Sequence, residues 1–215
     1  HAKVLDEFRS GRARILVGTQ MIAKGLDFPK VTLVGVVAAD MTLNLPDYRS
    51  RERTFQLLTQ VAGRAGRGNI PGEVVVQTYK PEDEIIEAAA KQDYRAFFEM
   101  EFSRRRTGLY PPFTILARLL VESHAEQSAH KTAEALYNRC QQMLEQHPAW
   151  KKRTLMMLLD RPGVKVLRGK SRWHVMFKLL VHPSTEEFVA MLTELARDPI
   201  EGAEVYFEYN PTTMM

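Results

Sequence analysis

Gly18-Thr19-Gln20-Met21-Ile22-Ala23-Lys24-Gly25-Leu26-Asp27-Phe28-Pro29 and, some thirty residues on, Gln60-Val61-Ala62-Gly63-Arg64-Ala65-Gly66-Arg67 decide how the first third of this chain reads. Both runs place small or polar residues where a protein meets phosphate. The second closes on Arg64 and Arg67. On a helix, positions three apart share a face, so both guanidinium groups can reach one anionic group. Paired arginines suit a nucleotide whose phosphoryl oxygens gain charge during transfer. Gly25 can take positive φ in a tight loop, and Gly63 and Gly66 let backbone approach closely.

The surrounding pattern is layered α/β. Residues 2–9 read as an amphipathic helix with Val4, Leu5 and Phe8 on one face, stopped by Gly11. Residues 13–17, 31–38 and 73–78 read as short strands. Apart from Arg14 and Thr32, the first two are apolar runs rather than alternating ones, as expected of parallel strands covered on both faces. Ser50 caps a helix through Ala62 with Phe55, Leu58 and Ala62 inward. The unit is too short for a complete nucleotide-binding lobe.

Residues 81–106 are helical in character, and Gly108 with Pro111-Pro112 breaks the helix. Beyond it the order is strand 113–121, helix 126–145, strands 155–159 and 173–181, a helix capped by Ser184 and running to about Arg197, and strand 204–209. That is β-α-β-β-α-β, the split, ferredoxin-like arrangement. The expected domains are 1–80, a helical connection 81–112, and 113–215.

The runs at 18–29 and 60–67 resemble motifs V and VI of superfamily-2 helicases. Together with Pro46-Asp47-Tyr48-Arg49-Ser50, Tyr110-Pro111-Pro112-Phe113 and Lys170-Ser171-Arg172-Trp173, they are similar to the bacterial replication-restart DNA helicases. This resemblance implies that residues 1–80 are the C-terminal part of a RecA-like helicase lobe 2, and that the second domain is S10-like. It puts Arg64 and Arg67 at the γ-phosphate as catalytic groups, with Gly25, Asp27 and Gln60 at the nucleotide. Thr19, Gln20 and Lys24 fall on the DNA side, where a hydroxyl and helix-start amides hold phosphate without reading sequence. It further implies an ATP-dependent 3′→5′ motor that recognises stalled forks and assembles the primosome. Its partners would be single-stranded and branched DNA, single-stranded DNA-binding protein and replicative-helicase loaders. Ser171 stands where the family has an aromatic, and Asp160-Arg161 where it has Gly-Pro.

Composition sets limits. The 215 residues carry a net charge of +4, compatible with nucleic acid. A single cysteine, Cys140, excludes an internal disulfide or a cysteine-rich zinc site. No metal site is expected in this chain; the family's zinc module, and the P-loop and acidic box that hold ATP and Mg²⁺, are expected upstream of His1. The chain therefore reads as a fragment, inactive as an ATPase by itself. No apolar run is long enough for a membrane span, and the chain is expected to act in the cytoplasm at the nucleoid. Gly163 to Ser171 mimics a P-loop but has five residues between its glycines, not four, and precedes a strand rather than a helix.

Lys151, Lys152 and Arg153, read as a loop, and Lys170 and Arg172, read as a strand edge, are the expected DNA contacts of the second domain. Trp150 and Trp173 lie beside them, in a combination suited to stacking on bases. The alternatives are a C-terminal adaptor without a motor role, or a branched-DNA translocase of the RecG type.

Overall fold

The computed structural model describes residues 2–19, 28, 31–63, 71–198 and 200–213. The chain forms two compact units. The first comprises His1–Leu45 and Ser50–Glu101, the second Pro46–Arg49 and Phe102–Met215.

In the first unit, α1 (Ala2–Arg9) ends before Gly11, whose φ of +77° suits glycine. The expected strand at 13–17 does not form. Ile15 and Val17 are 81% and 88% exposed, and no neighbouring strand pairs with them among the described residues. With its backbone open to water and no ladder partner, the run has neither pairing nor burial to hold it as a strand. β1 (Leu33–Val36) precedes α2 (Asp40–Leu43) and α3 (Ser50–Ala62), and pairs in parallel with β2 (Glu73–Val76). Both strands are shorter than the predicted 31–38 and 73–78 and are half-covered rather than sandwiched: Leu33 is 60% and Val75 50% exposed.

The predicted helix over 81–106 is two helices, α4 (Glu84–Ala90) and α5 (Tyr94–Thr107). The break falls at 91–93, where Gln92 takes φ +52°, and an acid opens each helix. Asp83 caps α4 by accepting from Ile85 N at 2.9 Å, and Asp93 accepts from Ala96 N at 2.9 Å to open α5. Phe55 and Leu58 of α3 pack on Ile85, Ile86 and Ala89, and Phe55 stacks on Phe97 with centroids 4.2 Å apart.

The second unit follows the predicted order with two additions. β3 (Thr114–Ser123), α6 (Glu126–Gln146), α7 (Pro148–Arg153), β4 (Thr154–Asp160), β5 (Val166–Leu167), β6 (Lys170–Leu180), α8 (Pro183–Arg197) and β7 (Glu204–Tyr209) succeed one another. The sheet runs β4-β6-β3-β7, antiparallel throughout, with β5 also paired to β6. β6 thus sits between β3 and β4, which is the split β-α-β topology. Ala133, Leu136 and Cys140 of α6 and Phe188, Leu192 and Leu195 of α8 cover one sheet face through Ala117, Leu119, Val121, Val175 and Phe177. Each large side chain so buried stabilises by roughly 1.5–3 kcal/mol. Ser184 is not the α8 cap: the His182 ring nitrogen accepts from Ser184 N, and Pro183 opens the helix with its φ preset.

Pro46–Arg49 packs within this second unit. The Tyr48 ring lies parallel to Tyr110, centroids 5.4 Å apart, and the Arg105 guanidinium carbon lies 5.3 Å from the Tyr48 centroid. Lys178 Nζ sits 4.2 Å from the Tyr110 ring and donates to Gly108 O at 3.1 Å. A Cβ at Gly108 would fall 2.9 Å from the Tyr110 ring and 3.2 Å from Arg104 O, so a side chain there would displace the ring.

Candidate functional site

α3 leads into the arginine pair. Its threonines bond back into the helix, Thr54 Oγ1 to Ser50 O and Thr59 Oγ1 to Phe55 O, both at 2.9 Å. Arg51 lies 3.8 Å from Asp83, tying the first turn to the cap of α4. Gln60 is half-buried on the last turn, and Gly63 N closes the helix on Thr59 O at 3.1 Å. A Cβ at Gly63 would meet only the Thr59 and Gln60 carbonyl oxygens at 3.7 Å, ordinary contact. Thr19 is exposed and outside any helix or strand. Gln20, Lys24, Gly25, Asp27, Arg64 and Arg67 lie outside the described residues.

Sequence reading missed Asp40. It follows β1 just past Ala38, whose φ is +54°. Its carboxylate accepts from Thr78 Oγ1 at 2.8 Å and from Tyr79 N at 3.0 Å, clipping the carboxyl ends of β1 and β2 together. The backbone bond from Tyr79 holds its pKa below the usual carboxylate range. Ligands of parallel α/β sheets meet the protein beyond the carboxyl ends of strands, so the clip fixes the frame there.

In the second unit the basic residues separate into two sets. Lys151, Lys152 and Arg153 belong to the last turn of α7, not to a loop, because Trp150 anchors that helix. Trp150 is 8% exposed, packed 5.3 Å from Phe188 and 4.0 Å from His147, so its ring is not open to bases. Lys151 pairs with Glu145 at 2.7 Å, while Lys152 is exposed with no ion-pair partner among the described residues.

Lys170 and Arg172 are not on a sheet edge, since β6 is an interior strand. Lys170 pairs with Glu204, and this bond raises its pKa. Arg172 Nε lies 3.0 Å from Glu122, and its Nη1 donates to Val164 O at 3.2 Å. Trp173 packs on His130 at 4.3 Å and beneath Arg161 at 5.5 Å.

Among the described residues no group of three or more His, Cys, Asp or Glu is placed to hold a metal, and no helix is long and apolar enough to cross a membrane. Cys140 is fully buried, and burial pushes its thiol pKa up to about 12.

Residues 1–69 match the helicase conserved C-terminal domain. The chain is 53% identical over 136 residues, 63% of its length, to replication restart protein PriA of Bacillus subtilis, covering 17% of that protein. Against PriA of Synechocystis the identity is 42% over 199 residues, 92% of this chain and 22% of the relative. Against PriA of Haemophilus influenzae it is 35% over 198 residues, 92% of this chain and 26% of the relative. The chain therefore spans about a fifth of the length of the first two relatives.

Proposed function

We propose that this chain, a homologue of a segment of the PriA replication restart proteins, supplies the phosphate-facing end of the second lobe of an ATP-dependent 3′→5′ DNA helicase, and a nucleic-acid-handling domain after it. The observation that carries this reading is the match to PriA of Synechocystis over 92% of the chain, through both units. The helicase domain match over residues 1–69 includes both motif segments.

In this reading Arg64 and Arg67 stabilise charge on the transferring phosphoryl group. Gly25, Asp27 and Gln60 line the nucleotide, and Thr19, Gln20 and Lys24 hold DNA phosphates. Lys151, Lys152 and Arg153 add positive charge in the second unit, where the exposed Lys152 is best placed. ATP and Mg²⁺ need a P-loop and an acidic box that this sequence does not contain, so hydrolysis requires the full-length protein. Fork recognition, primosome assembly with helicase loaders, contact with single-stranded DNA-binding protein, and a cytoplasmic, nucleoid-associated setting complete the proposal.

The test is ATP-driven strand separation of a forked duplex by a full-length protein carrying this segment. Arg67→Ala should abolish unwinding while fork binding without nucleotide survives. Undiminished unwinding by Arg67→Ala would favour an adaptor role instead.

A further inference from the structure

Residues 161–172 carry five basic side chains, Arg161, Lys165, Arg168, Lys170 and Arg172, and no acidic one. They form the β5–β6 hairpin and its approach. Arg168 and Gly169, at φ +51° and +77°, make its two-residue turn, the form that matches strand twist when both central residues have positive φ.

Three of the five arms are spent inside the protein. Arg161 pairs with Glu126 at 2.9 Å and its Nη2 donates to Lys165 O at 3.4 Å. Arg172 pairs with Glu122 and holds Val164 O, and its backbone N donates to Lys165 O at 3.0 Å. Lys170 pairs with Glu204. These bonds clamp both sides of the hairpin to β3, α6 and β7.

What the clamp displays is a strip of seven consecutive exposed residues, 163–169. Val164, Val166 and Leu167 are 39%, 55% and 46% exposed. Lys165 and Arg168 have no ion-pair partner among the described residues. A rigidly held strip of two unpaired cations and three apolar side chains is suited to a polyanion whose surface also offers apolar sugar edges.

We infer that this hairpin is a docking element for duplex DNA, with Lys165 and Arg168 on phosphates and Leu167 against the groove wall. This rests on the nucleic-acid reading above and names the contact surface within it. Duplex rather than single strand follows from the strip itself, since residues 163–169 hold no aromatic side chain to serve as a stacking platform. Unstacked bases need one, and Trp173 beside the hairpin is turned against His130 and Arg161. Apolar side chains next to basic ones are used on duplex grooves.

The experiment is fluorescence anisotropy of the 215-residue chain with a short blunt duplex and with a single strand of equal length, across a salt series. The variants are Lys165→Gln, the double variant Lys165→Gln/Arg168→Asn, and Lys131→Gln on the exposed face of α6 as control. Asn tolerates positive φ, so the turn is kept, and thermal melting checks each fold.

The double variant should bind duplex on the order of tenfold or more weakly, with a log-log salt slope shallower by about 2, near 0.9 per lost phosphate contact. Lys165→Gln alone should give about half that slope change, and Lys131→Gln none. Duplex binding with unchanged affinity and slope in the double variant overturns the hairpin assignment and leaves the nucleic-acid reading standing. Equal losses on the single strand overturn the duplex assignment. No DNA binding by the unsubstituted chain overturns both readings.

Discussion

Arg172 and Glu122 face each other across β6 and β3, Nε to Oε1 3.0 Å, with side chains only 8% and 17% exposed. The Nε is near enough for an ion pair but is not aligned for a hydrogen bond, and only Nη1 makes one, to Val164 O. A cation placed this way organises the domain rather than reaching outward.

Arg172→Ala leaves the Glu122 carboxylate largely buried without its partner. We expect a loss of about 3 kcal/mol in folding free energy, at the low end for breaking a buried pair because Glu122 keeps some access to water. Chemical denaturation of the chain measures it. A loss below about 0.5 kcal/mol would put Arg172 among ordinary surface ion pairs.

His174 is 6% exposed on β6, and burial, followed by Arg118, lowers its pKa to about 4. Arg172 lowers it further, while Asp160 and Glu208 oppose. With an unfolded value near 6.5, its contribution is fully present above pH 6.5 and is lost as pH falls from 6.5 towards 4, by up to about 3 kcal/mol. Melting temperatures between pH 7 and 5 should fall more steeply in the natural sequence than in His174→Gln. Parallel curves would contradict this.

Asp40→Asn keeps the shape of the clip but weakens its hold on Thr78 Oγ1 and Tyr79 N. Amide exchange at Tyr79 and along β2 should speed up, while β3 and β6 in the other unit stay protected. Because the Asp40 pKa is depressed, the natural clip is intact above the ordinary carboxylate range and is lost as pH falls through its lowered folded value. Unchanged exchange at Tyr79 would remove Asp40 from this role.

Cys140 should resist thiol reagents in the folded chain, since neither access nor thiolate is available at neutral pH. Labelling should appear together with denaturant unfolding. Rapid labelling of the native protein would show that α6 opens locally.

The second unit was largely legible because its signals are long. β3 spans ten residues and α6 twenty-one, with Ala129, Ala133, Leu136 and Cys140 repeating at helical spacing. α7 and β5 were not, since six and two residues are too few to show a period. α7 exists because Trp150 finds Phe188, and β5 because Arg168-Gly169 turns the chain back on β6. The role of Arg172 was also hidden. Sequence shows a basic residue, whereas its burial depends on a register that brings Glu122 opposite from fifty positions away. In the first unit, residues 13–17 carried a strand's composition without a strand's neighbour. Of the nucleotide-side candidates, the described structure holds only Gln60, on a helix whose extent was read correctly from Ser50 to Ala62.

The central claim is that the arginines after α3 serve phosphoryl transfer. The direct measurement is the DNA-stimulated ATP turnover of a full-length protein carrying this segment, with Arg64→Ala and Arg67→Ala made separately. Each should lower turnover by two or more orders of magnitude, about 3 kcal/mol or more of transition-state stabilisation, with nucleotide-free DNA binding retained. A change smaller than about fivefold in both, roughly 1 kcal/mol, would mean that neither arginine faces the phosphate.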